Sequence, residues 1–95
     1  MARPQASARH ILVDNEAQCL ELKNQIDAGA DFAELARKHS SCPSARDGGN
    51  LGTFGPGDMV PEFDQVVFSA DVNSVQGPVK TQFGFHLLEV TSRTA

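Results

Sequence analysis

Hydrophobic and polar residues change period along the chain, and these changes predict where strands and helices lie. A compact apolar run at residues 9–13, ended by a turn, predicts a short strand. A helix to about Ala28 follows, because Asp14 or Asn15 can cap its start. Asn15 with Gln18 resembles a capping box, and Gly29 suits the left-handed position after a helix. Its apolar stripe consists of Cys19, Leu22 and Ile26, widened imperfectly by Leu20.

The second helix has the clearest pattern in the sequence. Asp31 caps it, Glu34 completes the capping box three residues later, and the helix ends near Ser40. Its continuous face, spaced i, i+3, i+4 and i+7, consists of Phe32, Leu35, Ala36 and His39. We interpret His39 as structural, since a cation also suits the C-terminal end of a helix dipole.

The second half of the chain begins with a long turn region and then returns to regular structure. Residues 41–58 hold five of the eight glycines and two prolines, with a short strand at 51–54. A third helix is predicted at 59–69, and Gly77-Pro78 breaks the chain again. The last two strands, joined near Phe83-Gly84, are 79–81 and 85–92. The order β, α, α, β, α, β, β indicates an α+β domain with a small, mostly antiparallel sheet.

Length and charge limit the organisation and the partners. A chain of 95 residues is one domain; residues 1–7 are expected to be a flexible N-terminal arm and residues 8–95 the folded domain. The net charge is −4 and the basic residues are scattered. We therefore expect neither nucleic acid nor a membrane surface as a partner, and nothing suggests more than a monomer.

The expected compartment is the cytoplasm. Residues 1–9 contain no apolar stretch of signal-peptide length, and no segment approaches the length of a membrane span. Cys19 and Cys42 are expected to be free thiols, and they have neither metal-site nor redox-motif spacing.

Two histidines are candidates for chemistry. His10 opens the first strand and His86 lies on the last, and strands near opposite ends of a chain often become neighbours in a small sheet. The two imidazoles can then meet. Residue type alone nevertheless favours the alternative, in which each is a satisfied core histidine.

Cys42 and a pair of apolar residues are further candidates. Cys42 lies in the glycine-rich loop, where a Cys–His nucleophilic pair is possible but lacks a local family motif. Met59 and Phe63, at i and i+4, either line an apolar pocket or belong to the core, and spacing alone favours the core. Residues 47–50 lack the lysine and spacing of a phosphate-binding loop.

A set of short motifs extends over residues 8–93 in a fixed order. The motifs are His10–Val13, Gly29–Phe32 with Leu35-Ala36, Ser41–Ser44, Gly48–Gly52, Phe54, Met59–Phe63, Phe68, Gly77–Val79, Thr81–Gly84 and His86. Together they resemble a parvulin rotamase domain, and most of all the minimal single-domain bacterial parvulins. The resemblance implies the parvulin (FKBP-like) fold, a four-stranded, mostly antiparallel sheet with three to four helices packed around it.

The resemblance also implies an activity and its residues. The activity is peptidyl-prolyl cis/trans isomerisation of Xaa-Pro bonds in peptides and folding proteins, without cofactor or metal. His10 and His86 match the family's paired histidines, Thr81 the hydroxyl that joins their network, and Cys42 the position facing the imide bond. The cup for the proline ring is formed by Leu51, Met59 and Phe63, with Phe83 on its rim.

One departure from the family pattern concerns specificity. Phosphorylation-dependent parvulins insert a long basic loop after the first strand, whereas residues 13–16 turn at once and are acidic. The resemblance therefore implies substrates without phosphate, with an uncharged and apolar residue before the proline. An alternative is a non-catalytic peptide-binding or chaperone module using the same groove. A cysteine hydrolase is disfavoured because no oxyanion motif is recognisable.

Overall fold

A four-stranded sheet forms the centre of the molecule. The structure, a computed structural model, describes residues 5–94. Its elements are β1 (Gln5–Val13), α1 (Glu16–Asp27), α2 (Phe32–His39), a 3₁₀ helix (Pro43–Asp47), β2 (Asn50–Phe54), α3 (Pro61–Val67), β3 (Val75–Thr81) and β4 (Gly84–Thr94). The strands lie in the order β2-β1-β4-β3, and each neighbouring pair is antiparallel. The predicted α+β class with a four-stranded sheet is confirmed.

The two faces of the sheet pack against different helices. Because successive side chains of a strand point to opposite faces, β1 sends Ile11 and Val13 to one side and Ala8 and His10 to the other. One core joins the first face to α1 and α2 and consists of Ile11, Val13, Cys19, Leu22, Phe32, Leu35, Ala36 and Leu87. The other joins the second face to α3 and consists of Ala6, Ala8, Phe54, Phe63, Val67, Leu88 and Val90.

Both predicted helix caps are present. The Asn15 side chain accepts a hydrogen bond from the Gln18 amide at 2.7 Å, and the Asp31 side chain accepts one from the Glu34 amide at 3.3 Å. The apolar stripes are narrower than predicted, because Leu20 is 44% exposed and His39 is exposed as well. Within residues 5–94, no helix combines the length and the apolar character needed to cross a membrane.

The N-terminal arm predicted for residues 1–7 needs correction. Residues 1–4 lie outside the described part of the chain, but β1 begins at Gln5, which pairs with Thr94 of β4. Ala6 and Ala8 are buried against the core. Alanine is too small to mark a strand by its apolar character, so the alternation in this segment does not stand out in the sequence.

The predicted chain break at Gly77-Pro78 is wrong. Both residues lie inside β3, where the register with β4 shifts between Gln76 and Val79. β3 is an edge strand of the sheet, and an edge strand accommodates a proline because the missing amide is not needed on the outer side.

The third helix is shorter than predicted. It starts at Pro61, a residue favoured in the first turn because its missing amide proton has no partner there anyway. Met59 therefore precedes the helix, and the argument that it shares a helix face with Phe63 is wrong.

Candidate active site

Two buried imidazoles lie side by side on the α3 face of the sheet. In the β1–β4 ladder His10 is opposite Leu88 and His86 is opposite Leu12, so the two histidines are diagonal neighbours on one face. Their Nδ1 atoms are 3.1 Å apart, and the rings are nearly parallel at 13°. His10 is 4% exposed and His86 is 3% exposed.

A chain of hydrogen bonds extends outward from this pair at both ends. Thr81 Oγ1 is 2.7 Å from His86 Nε2, and the Phe83 amide donates to the same Thr81 oxygen at 3.1 Å. At the other end, Ser44 Oγ is 3.1 Å from His10 Nε2. The chain thus joins β3, β4, β1 and the 3₁₀ helix through polar side chains.

Protons can occupy this chain in two consistent ways. With both rings neutral, one proton lies between the two Nδ1 atoms. One further proton lies between His10 Nε2 and the Ser44 hydroxyl oxygen, and one between His86 Nε2 and the Thr81 hydroxyl oxygen. If Thr81 donates to His86, then His86 donates to His10 and His10 donates to Ser44. Reversing every donor gives the second arrangement, because each hydroxyl can donate or accept.

Both imidazoles are neutral at neutral pH. Burial, and to a smaller extent repulsion by the charge of His86, lowers the pKa of His10 from 6.5 to about 4. Burial also lowers the pKa of His86 to about 4, against an opposing attraction from Glu62. A proton added to the ring that accepts at Nδ1 would put N–H groups on both Nδ1 atoms and break their hydrogen bond.

An apolar cavity of about 350 Å³ opens directly beside the imidazoles. Its walls are His10, Leu12, Ser41, Cys42, Pro43, Leu51, Met59, Val60, Phe63, Phe83 and His86. The Phe63 ring meets both imidazoles edge to face, with centroids 5.6 Å from His10 and 4.6 Å from His86. Phe83 is 62% exposed at the margin of the cavity. We call this cavity the proline cup, after the role that the family resemblance implies for it.

The structure brings together all eight residues selected from the sequence. Seven of them line the proline cup, and Thr81 lies outside its lining, bonded to His86. The residues missed in the sequence are Leu12, Ser41, Pro43, Ser44 and Val60. A signal existed for Leu12, which is two residues from His10 and so faces the same side of β1.

Backbone contacts fix the loop that carries Cys42 against β1. The Ser41 amide donates to the Leu12 carbonyl at 2.8 Å, and the His10 amide donates to the Gly49 carbonyl at 2.9 Å. Gly49 has φ +85°, and a Cβ at this position would overlap the His10 carbonyl oxygen. Glycine is therefore required for the loop to approach His10. Cys42 is partly buried and has a free thiol.

Two carboxylates hold the turn that carries Met59. Asp58 accepts a hydrogen bond from the Gly55 amide at 2.8 Å, and one oxygen of Asp64 accepts one from the Gly57 amide at 2.8 Å. The other Asp64 oxygen is buried without a hydrogen-bond partner among the described residues. Met59 thus reaches the proline cup from a fixed turn, although it lies outside α3.

Comparisons with known proteins agree with this geometry. The family model of the rotamase, or PpiC-type PPIase, domain matches residues 2–92. The chain is 46% identical over 92 residues to the foldase protein PrsA of Geobacillus sp. (strain WCH70), covering 96% of this chain and 33% of that protein. It is 40% identical over 98 residues to the chaperone SurA of Methylobacillus flagellatus, covering 94% and 22%.

Solved structures have the same fold. Superposition on the peptidylprolyl isomerase PrsA from Bacillus anthracis gives a TM-score of 0.94 at 35% identity, covering 98% of this chain and 43% of that one. The parvulin NmPin of Nitrosopumilus maritimus gives 0.85 at 31% identity, covering 97% of this chain and 100% of that one.

The chain belongs to the PpiC-type PPIase family, the parvulins, and forms a peptidyl-prolyl cis/trans isomerase domain. The family assignment predicted from the motifs is confirmed. The chain spans about a third of the length of the PrsA foldase it matches. The curated relatives given above are PrsA and SurA proteins, which are longer than this chain, so the assignment is to the family and not to its minimal single-domain members.

Proposed function

We propose that this chain accelerates rotation about Xaa-Pro bonds in peptides and in folding proteins, using the proline cup and the groups beside it. The observation that carries the proposal is the contact between an apolar cavity of about 350 Å³ and a neutral, hydrogen-bonded histidine pair. Such a cavity accepts a proline ring and brings the preceding amide bond next to polar groups.

The reaction breaks no covalent bond. An amide C–N bond twists through about 90° against a resonance barrier of about 18–20 kcal/mol. The uncatalysed reaction of an Xaa-Pro bond takes tens to hundreds of seconds, on the order of a slow folding step. A rate increase of ~10⁴ requires about 5.5 kcal/mol of selective transition-state stabilisation.

Leu51, Met59 and Phe63 supply the apolar part of this stabilisation. Their side chains exclude water from the amide, and water stabilises the planar, polar ground state more than the twisted state. Holding the ring still while the preceding carbonyl rotates also places strain along the reaction coordinate. Phe83, exposed at the margin, covers the bound segment.

The polar part comes from Cys42 and the histidine network. As the bond twists, charge leaves the carbonyl oxygen and the nitrogen becomes pyramidal. The neutral His10–His86 pair, oriented by its hydrogen bonds to Thr81 and Ser44, directs fixed ring dipoles at this changing charge without giving up or taking a proton. Cys42 contributes its thiol dipole at the cavity wall, without forming a bond to the substrate.

A substitution separates this electrostatic role of Cys42 from covalent attack. An aspartate is a poor nucleophile for an amide carbonyl but retains a polar group at the same position. We expect Cys42→Asp to keep isomerase activity within about tenfold in a peptide exchange assay. Complete loss of activity in a folded variant would restore the covalent mechanism.

The proposed substrates are unphosphorylated, proline-containing segments of unfolded or partly folded proteins. Only Asp14 and Asn15 connect β1 to α1, which leaves no room for a basic phosphate-binding loop. We further propose that the domain is active as a monomer. A cytoplasmic location, supported by two free thiols, and the absence of nucleic-acid and membrane partners complete the proposal.

The alternative is a peptide-binding module without catalysis, which the relatives named as SurA chaperones favour. Two-dimensional NMR exchange on an Ala-Leu-Pro peptide distinguishes the two. We expect exchange between cis and trans signals at catalytic protein concentration, weakened by Met59→Ala and by His10→Ala. Shifted peptide signals without exchange would identify a binding module.

A further inference from the structure

A second depression adjoins the proline cup. It has a volume of about 600 Å³ and is lined by Ser41, Cys42, Pro43, Ala45 and Arg46. Three of these residues, Ser41, Cys42 and Pro43, also line the proline cup. The two depressions therefore share one wall, with Cys42 part of it.

The position of this depression matches one part of a bound substrate, given the proposed function. We consider a substrate with its proline ring in the cup and its amide bond beside Cys42. The substrate residue before the proline then lies on the far side of Cys42 from the ring. The neighbouring space on that side is the second depression. A segment bound in this direction would place the side chain that precedes the proline against the lining of the second depression.

The charge of this lining is opposite to that of the whole chain. The net charge is −4, yet Arg46 is the only charged residue among the five that line this depression. Arg46 is exposed, lines the depression, and forms no ion pair within 4.0 Å among residues 5–94. Lys38, in contrast, is 3.5 Å from Glu34. The guanidinium of Arg46 is thus available to a ligand.

We propose that Arg46 makes this depression a binding site for an acidic side chain immediately before the proline. The planar guanidinium binds a carboxylate through two parallel hydrogen bonds. Because the pair is exposed, its contribution corresponds to an approximately two- to fivefold preference for glutamate over glutamine. This replaces the apolar preference expected from the family resemblance.

The test compares isomerisation of Ala-Xaa-Pro peptides with Xaa as Glu, Gln, Leu, Lys or phosphoserine, measured by NMR exchange at low salt. We expect the kcat/KM ratio of Glu to Gln to be about two to five. Arg46→Gln should bring this ratio to about one, Arg46→Lys should restore part of it, and Arg46→Glu should favour Lys. The ratio should also fall at 1 M salt, where the screening length is about 3 Å.

Arg37→Gln is the matched control, because Arg37 is an exposed arginine that lines neither depression. We expect it to leave the Glu to Gln ratio unchanged. An equal loss in Arg37→Gln and Arg46→Gln would overturn the assignment, since the preference would then come from diffuse charge. A phosphoserine peptide more than about tenfold better than the Glu peptide would also overturn it, in favour of a phosphate site.

The Leu peptide separates this inference from the proposed function. If the Leu peptide is isomerised and the Glu to Gln ratio is the same with and without Arg46, only the inference is wrong. If the wild-type protein isomerises none of the peptides, the proposed function is wrong and the inference falls with it.

Discussion

At the scale of single residues, the site depends on side chains that are neutral but fully hydrogen-bonded. His10 and His86 are nearly inaccessible to solvent, and each has a partner on both ring nitrogens. A buried polar group without a partner costs about 1–3 kcal/mol. Ser44 and Thr81 therefore stabilise the pair as well as setting the direction of its protons.

Ser44 offers the sharpest test of this network. Ser44→Ala removes the partner of His10 Nε2 and makes the two proton arrangements unequal. We expect the imidazole ¹⁵N chemical shifts to move towards one fixed tautomer, with a loss of stability of about 1–3 kcal/mol and a lower isomerase rate. NMR of the ring nitrogens and urea unfolding measure these effects.

Ser41→Ala is the control for Ser44, since the Ser41 hydroxyl bonds neither imidazole. It should leave the ¹⁵N shifts of both rings as they are. Unchanged shifts in Ser44→Ala would mean that Ser44 does not take part in the network.

Residue identity allowed part of the site to be predicted. His10, Cys42, Thr81 and His86 belong to motifs whose order and spacing are specific, and the structure brings all four together. Ser44 also belongs to such a motif, but a serine next to a turn has many possible roles. Its contact with His10 depends on the exact path of the loop, which local sequence does not determine.

At the scale of elements, the loop between α2 and β2 positions Cys42 by direct contact with β1. Gly49 makes this contact possible, because any Cβ there would overlap the His10 carbonyl oxygen. Gly52, with φ +74°, has open space around its hypothetical Cβ. Substitution of Gly49 tests both the close contact with His10 and the left-handed backbone, whereas substitution of Gly52 tests the left-handed backbone alone.

We expect Gly49→Ala to destabilise the protein by at least about 2 kcal/mol, because it combines backbone strain with a displaced loop. Gly52→Ala should cost about 1 kcal/mol, since it carries the conformational strain alone. Urea unfolding gives both values, and isomerase assays should show a larger loss for Gly49→Ala. Equal costs would show that the loop does not depend on contact with His10.

Element order was predictable because each helix and strand has a local signal, and the caps at Asn15 and Asp31 gave the helix starts directly. Three boundaries were not. Ala6 and Ala8 lack the bulk that marks a strand, Pro78 is tolerated only because β3 is at the sheet edge, and Met59 precedes α3. Each of these depends on tertiary position.

At the scale of the whole molecule, the buried histidines couple stability to pH. Both have a pKa of about 4 in the folded protein, whereas the ordinary value is 6.5. The unfolded chain therefore binds more protons between these values, and stability is full above pH 6.5 and falls as the pH approaches 4. Each histidine contributes up to about 3 kcal/mol to this fall.

Urea unfolding at pH 7.5 and 4.5 measures this loss. We expect the difference to shrink in a His10→Leu, His86→Leu double variant and to persist in His39→Gln, since His39 is exposed. Isomerase activity should likewise decline near pH 4 rather than near 6.5. A double variant with an undiminished pH dependence would assign the loss to other groups.

The first and last described strands lie side by side, with Gln5 paired to Thr94. Both attachment points of the unit therefore emerge at the same corner. A longer polypeptide can lead into such a unit and out again with little change in its own path, as domain insertions require. Exchanging a rotamase domain between host proteins then requires a fit only where these two adjacent strand ends join the host chain.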